Sequence, residues 1–154
     1  MSRLKPEAIE PLQFMMKRLE PLGGRLGPVL IQLPPNFKRD VERLRAFLGA
    51  LPQAAPWHRQ WAVEFRHATW EDEEVETTLR EHNVAWVAAD TDAADAQRRD
   101  TADFGYARLR KSEYDLAALD SWKSYWAATD KTQFVFCKHE DEGSPWVWAD
   151  YLLK

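Results

Sequence analysis

Apolar residues along the chain fall into five short runs: PVLIQL (28–33), WAVEFR (61–66), VAWVAAD (84–90), FGYARLR (104–110) and QFVFCKH (133–139). Their length and β-branched content predict strands. Segments of helical spacing lie between them. DVERLRAFLGAL sets Val41, Leu44, Phe47, Leu48 and Leu51 on one face, and DLAALDSWKSYWAA sets Leu116, Leu119, Trp122 and Trp126 on one stripe. TWEDEEVETTLREH opens on Thr69 as the expected N-cap, with acidic residues in its first turn. SPWVWADYLLK closes the chain with Ser144 as cap and Pro145 in the first turn. The N-terminal segment reads as an amphipathic helix interrupted by prolines, and LGGRLGP (22–28) ends it and turns into the first strand. Residues 91–103 are polar, rich in Ala and Asp, and read as a loop. Strand then helix, repeated, predicts a parallel sheet of βαβ units in one domain spanning 1–154.

The strands carry a second pattern. Side chains two apart on a strand share a face, so Glu64 and Arg66 point one way and Val63 and Phe65 the other. Gln32 is out of phase with Val29, Ile31 and Leu33. Tyr106, Arg108 and Arg110 share a face, and Lys138 and Glu140 continue the parity of Phe134 and Phe136. Asp90 ends the third strand and His67 sits at the tip of the second. Ordinary doubly wound sheets are buried on both faces and read as continuous apolar runs. Here the polar residues gather in the C-terminal half of each strand. That fits an α/β fold of the TIM (β/α) barrel type, with one face packed on helices and the other lining a lumen that opens at the strand C-termini. A self-satisfied Glu/Arg network in a barrel interior would show the same pairing as a site.

Composition narrows the function. With 154 residues, 45% hydrophobic and 30% charged, the chain is an ordinary globular protein, and a net charge of −4 disfavours nucleic acid as a partner. The 8 Trp demand a large apolar interior or an aromatic-lined pocket. Trp70, Trp86, Trp146 and Trp148 could stack on a sugar ring, although packing is the commoner use. The lone Cys137 suits a reducing cytoplasm and reads as a small core residue. No apolar run approaches the roughly 20 residues of a membrane helix, and the N-terminus lacks a signal-peptide h-region. Glu64, His67, Asp90, His139 and Glu140 are acceptable metal-ligand types, but HExxH and paired CxxC motifs are missing. His67 and His139 also have the parity opposite to Glu64 and Glu140, so a metal site is the weaker reading and none is assigned; no cofactor is expected. His58 and His82 read as surface loop or helix-end residues.

LGPVLIQLPPNF (26–37), AVEFRHATW (62–70), YARLR (106–110) and FVFCKHEDEG (134–143) together resemble the YecE-like family, domain of unknown function 72, from about Lys17 onward. The resemblance implies a TIM-type barrel related in fold to sugar-isomerase-like barrels, and it implies no established reaction. By resemblance, the family's Gln and Pro-Pro correspond to Gln32, Pro34 and Pro35. Its Glu-x-Arg-His corresponds to Glu64, Arg66 and His67, and its later arginine to Arg108. Many members have His-Gly in place of Arg110-Lys111 and Asn-Asn or Asn-Asp in place of Lys138-His139. The resemblance also implies a partial barrel: five parallel strands with flanking helices, the N-terminal three strands of the family missing.

The expected function is that of a barrel whose parent binds or acts on a small polar, anionic or sugar-like molecule. Glu64 is the candidate for proton transfer. Arg66, Arg108, Arg110 and Lys138 are candidates for holding an anion, with Gln32, His67, Asp90 and Glu140 around it. The alternative is a non-catalytic or truncated barrel that binds a ligand or partner and has no activity alone. An open sheet would expose Tyr106 and Phe134 and favour self-association. Native mass spectrometry with melts at two protein concentrations is expected to show oligomers or a concentration-dependent transition; a monodisperse monomer with a sharp, concentration-independent melt would contradict this.

Overall fold

The computed structural model describes Leu4, residues 6–137 and residues 144–154. Five α-helices and five strands follow one another over these residues, alternating except that the fourth strand follows the third with no helix between. They are α1 (Ile9–Leu19), β1 (Val29–Gln32), α2 (Val41–Ala54), β2 (Trp61–Glu64) and α3 (Glu73–Glu81), then β3 (Val84–Ala89), β4 (Phe104–Leu109), α4 (Leu116–Ala127), β5 (Thr132–Cys137) and α5 (Ser144–Leu153). All pairings are parallel and the strand order is sequential, β1-β2-β3-β4-β5. Sequential order distinguishes a (β/α) barrel topology from a doubly wound sheet, whose strand order reverses. The chain is thus an α/β protein with the topology of a partial barrel, as the sequence pattern predicts.

The chain divides into two compact units, residues 1–86 with 100–102, and residues 87–99 with 103–154. β3 passes from one to the other: its first half pairs with β2, its second half with β4.

In the first unit the alternation along the strands sorts the side chains as expected. Val29, Ile31, Trp61, Val63, Phe65, Val84 and Trp86 join the core with Leu44, Phe47 and Leu48 of α2 and Val75 and Leu79 of α3. Each large side chain taken fully from water contributes about 1.5–3 kcal/mol. Asp40 caps α2, its Oδ1 accepting the Arg43 N–H at 3.0 Å. Gly23, with φ of 51°, breaks the helical run after α1 at the expected place.

The start of α3 differs from expectation. Its cap is Asp72, whose Oδ1 accepts the Glu74 N–H at 2.9 Å, and Thr69 lies in a separate 3-10 turn over Ala68–Trp70. The cause is Trp70. It is wholly buried, stacks on Phe65 with ring centroids 4.8 Å apart, and donates Nε1–H to the Phe37 carbonyl at 2.7 Å. Seating that indole takes one tight turn, so the helix begins after it.

The second unit has its own core, with Ala88, Ala107, Leu109, Leu119, Trp122 and Trp148 buried and Val135 and Cys137 packed against them. Leu116, expected on the same stripe, is instead 62% exposed at the first position of α4. On the opposite face Tyr106 stacks on Phe136 at 5.0 Å, and Phe104 meets the edge of Phe134 at 5.9 Å. Tyr106 is buried, against the expected exposure, while Phe136 is 49% exposed. Of the four tryptophans considered for ring stacking, Trp70, Trp86 and Trp148 are buried packing groups, and Trp146 is exposed. Residues 91–103 hold no helix or strand, but Thr101 is anchored. Its hydroxyl accepts the Trp86 N–H at 2.8 Å and donates to the Val84 carbonyl at 2.7 Å, satisfying β3 backbone.

His58 corrects a second reading: it is 6% exposed, not a surface residue. Its Nε2–H donates to the Gln60 carbonyl at 2.8 Å, and Trp61 and Trp57 meet its ring edge-on. Burial lowers its pKa below the ordinary 6.5, which outweighs the opposing backbone hydrogen bond. The unfolded chain therefore takes the proton more readily than the folded one. The stability this group contributes is complete above 6.5 and is lost as pH falls through 6.5 toward the folded value. Melts between pH 7.5 and 5.5 should show a steeper acid loss of Tm for the wild type than for His58→Gln; equal slopes would remove His58 as the cause.

Candidate functional site

Glu64 is the last residue of β2 and stands in register with Gln32, the last of β1. Both have the parity opposite to the helix-packed Val63 and Ile31, so they meet on the face away from the helices. Gln32 Nε2 donates to Glu64 Oε2 at 2.9 Å, and Arg66 Nε donates to Glu64 Oε1 at 2.9 Å. Glu64 is 1% exposed, whereas the Arg66 side chain is 31% exposed. A carboxylate taken out of water needs a charge partner and hydrogen bonds, and this one has both. Only Nε of Arg66 is engaged; its two terminal nitrogens donate to nothing among the described residues. The fork that binds oxyanions bidentately thus remains available.

His67 turns away from this group. Its Nδ1 accepts the Thr69 N–H at 3.2 Å and caps the 3-10 turn. Sequence gives no sign of that role, because capping depends on where the turn closes.

In the second unit Asp90 follows β3 with the parity of Ala88, which places it on the helix-packed side with Leu109 and Trp122. Arg108 and Arg110 have the parity opposite to Leu109, so Asp90 does not join their face. It is 3% exposed, and its Oδ1 accepts both the backbone N–H of Arg110 at 2.7 Å and the Tyr114 hydroxyl. Tyr114 in turn accepts the Lys111 N–H at 3.1 Å. Burial, then the bond to Asp90, pushes the Tyr114 hydroxyl far above its ordinary value, so it stays a donor. Asp92 Oδ1 accepts the Ser112 N–H and hydroxyl at 2.7 and 2.8 Å, and Lys111 Nζ pairs with Asp95 at 2.7 Å. The 90–95 segment thereby wraps the β4–α4 connection. Cys137 is half-buried, with its thiol pushed up by burial and then by the Asp90 charge, so it is a poor nucleophile.

Lys138, His139 and Glu140 lie outside the described residues, as does the side chain of Ser144. Among the described residues no group of three or more His, Cys, Asp or Glu could hold a metal, and no helix is long and apolar enough to cross a membrane. Sequence reasoning missed Tyr114, Lys111, Asp95 and Arg98. The Asp run after β3 and the Lys and Tyr after β4 were there to notice, but their pairing depends on loop closure.

Consecutive parallel βα units with a polar cluster at the C-terminal strand ends define a (β/α) barrel-type protein. The chain belongs to the family described as protein of unknown function DUF72, whose model matches residues 1–154. It is similar to the crystal structure of a DUF72 family protein from Thermotoga maritima, with a TM-score of 0.77 and 24% identity over 94% of this chain and 64% of that one. A DUF72 family protein from Enterococcus faecalis gives a TM-score of 0.70 and 14% identity over 92% of this chain and 66% of that one. The chain thus spans just under two thirds of the length of each. At these identities the likeness speaks to fold alone. No match to the chain is found among curated proteins.

Proposed function

We propose that the chain carries the anion-binding part of a DUF72 barrel, taking a small polar or anionic, sugar-like molecule at the C-terminal ends of β1 and β2. One observation carries the reading: Arg66 is held through Nε by a buried carboxylate, while its terminal nitrogens donate to nothing among the described residues and its side chain is 31% exposed. An arginine pinned in this way loses little freedom when it accepts a phosphate or carboxylate. Gln32 fixes the other oxygen of Glu64. With both oxygens occupied, Glu64 acts first as the anchor of Arg66. A substrate that displaces Gln32 would open Oε2 for proton transfer, the catalytic role proposed for Glu64 in the whole protein. Arg108 and Arg110 are proposed as further ligand-binding groups, and so are Lys138 and Glu140. The kinship with sugar-isomerase-like barrels that the sequence resemblance implies would suit such a ligand, and the single free cysteine would suit a cytoplasmic setting.

The test is a titration with inorganic phosphate followed in the arginine side-chain NMR signals. The Arg66 Nε–H resonance should shift and saturate, Arg66→Gln should weaken binding about tenfold or more, and Glu64→Gln should keep binding within that factor. A resonance indifferent to phosphate, or unchanged affinity in Arg66→Gln, would contradict the proposal.

A further inference from the structure

A cavity of about 300 Å³ opens inside the second unit between the segment after β3, the β4–α4 connection and α4. It involves none of the residues assigned to the anion site in the first unit. Its walls include Asp90, Asp95, Arg98, Lys111, Tyr114 and Trp122. Four of these are charged, and they do not all cancel locally.

Lys111 and Asp95 neutralise each other in a 2.7 Å ion pair. Asp90 has no such partner. It is 3% exposed, and Oδ1 takes both of its side-chain hydrogen bonds. Oδ2 accepts nothing among the described residues, and no ion pair to Asp90 occurs among them. Buried carboxylates are ordinarily paired with a cation, and two neutral donors on one oxygen leave most of the charge uncompensated. Lys111 also acts on Asp90 through space, but with no ion pair of its own among the described residues Asp90 remains the less compensated, negative pole of the cavity.

A positive pole faces the same space. Arg98 lies flat on the Trp122 ring, its guanidinium carbon 4.0 Å from the centroid. Its Nη1 donates to the Ser121 carbonyl and hydroxyl at 3.1 and 3.0 Å. The remaining guanidinium nitrogens donate to nothing among the described residues. Stacking and hydrogen bonding fix the group in place, so it is a preorganised donor to an anion. Ala96, Ala118 and Trp122 supply an apolar lining beside the two poles.

We propose that this cavity binds a small amino-acid-like zwitterion, its ammonium on Asp90, its carboxylate on Arg98 and its apolar side chain toward Ala118 and Trp122. The volume has room for about ten water-sized groups, the scale of a free aliphatic amino acid. A simple cation would leave Arg98 unused, and a simple anion would be repelled by Asp90. Tyr114, kept protonated by burial and its bond to Asp90, holds the carboxylate in orientation.

Calorimetric titration of the whole chain with three probes reads this directly: L-leucine, 3-methylbutylamine, which lacks the carboxylate, and 4-methylpentanoate, which lacks the ammonium. L-leucine should bind, and each singly charged analogue should bind about tenfold more weakly or worse. Arg98→Gln, at an exposed position, and Asp90→Asn should each weaken L-leucine by a similar factor. Arg98→Gln keeps the test sound if Asp90→Asn fails to fold. Absence of L-leucine binding to folded protein, equal binding of either analogue, or unchanged affinity in Arg98→Gln would overturn the proposal.

Discussion

A carboxylate at the end of a strand, 1% exposed, has to be neutralised where it lies, and the neutralising groups at Glu64 organise everything around it. Arg66 is two residues further along the same chain direction, so strand parity brings it to the same face. Gln32 ends the neighbouring strand in register. Gln32 could not arrive if β1 and β2 slipped by one residue, because the side chains of one strand would change faces relative to the other. The charged group thus fixes the register that also sends Val63 and Phe65 into the helix-packed core.

The two units treat a buried carboxylate differently. Glu64 has a guanidinium on one oxygen and an amide on the other. Asp90 has a backbone N–H and a phenol, both on one oxygen, and no ion pair among the described residues. The first arrangement is self-contained in charge and leaves the arginine's outer edge for a ligand. The second leaves a negative charge for which a ligand supplies the natural counter-ion. Both follow from the same rule: charge removed from water is tolerated only with compensation nearby.

Much of this was legible in the residue order because period-2 alternation is a local property. Glu64 and Arg66 against Val63 and Phe65 can be read without knowing any neighbour, and so can Val41, Leu44, Leu48 and Leu51 on α2. The misreadings arose where a distant partner decides. Trp70 must reach the Phe37 carbonyl, and that moves the α3 cap from Thr69 to Asp72. His58 is polar by type but is enclosed by Trp57 and Trp61. Loop closure between residues 90–95 and 111–114 leaves no periodic trace, and the cavity in the second unit was invisible for that reason.

Register, core and anion site all depend on Glu64 being a buried anion compensated by Arg66. A double-mutant cycle in urea, with Arg66→Ala, Glu64→Gln and both together, measures that dependence alone. With Arg66 31% exposed and the pair partly screened, a coupling of roughly 1–2 kcal/mol is predicted, and Arg66→Ala should cost clearly less once Glu64 is already Gln. Additive effects, with no coupling beyond a few tenths of a kcal/mol, would contradict it.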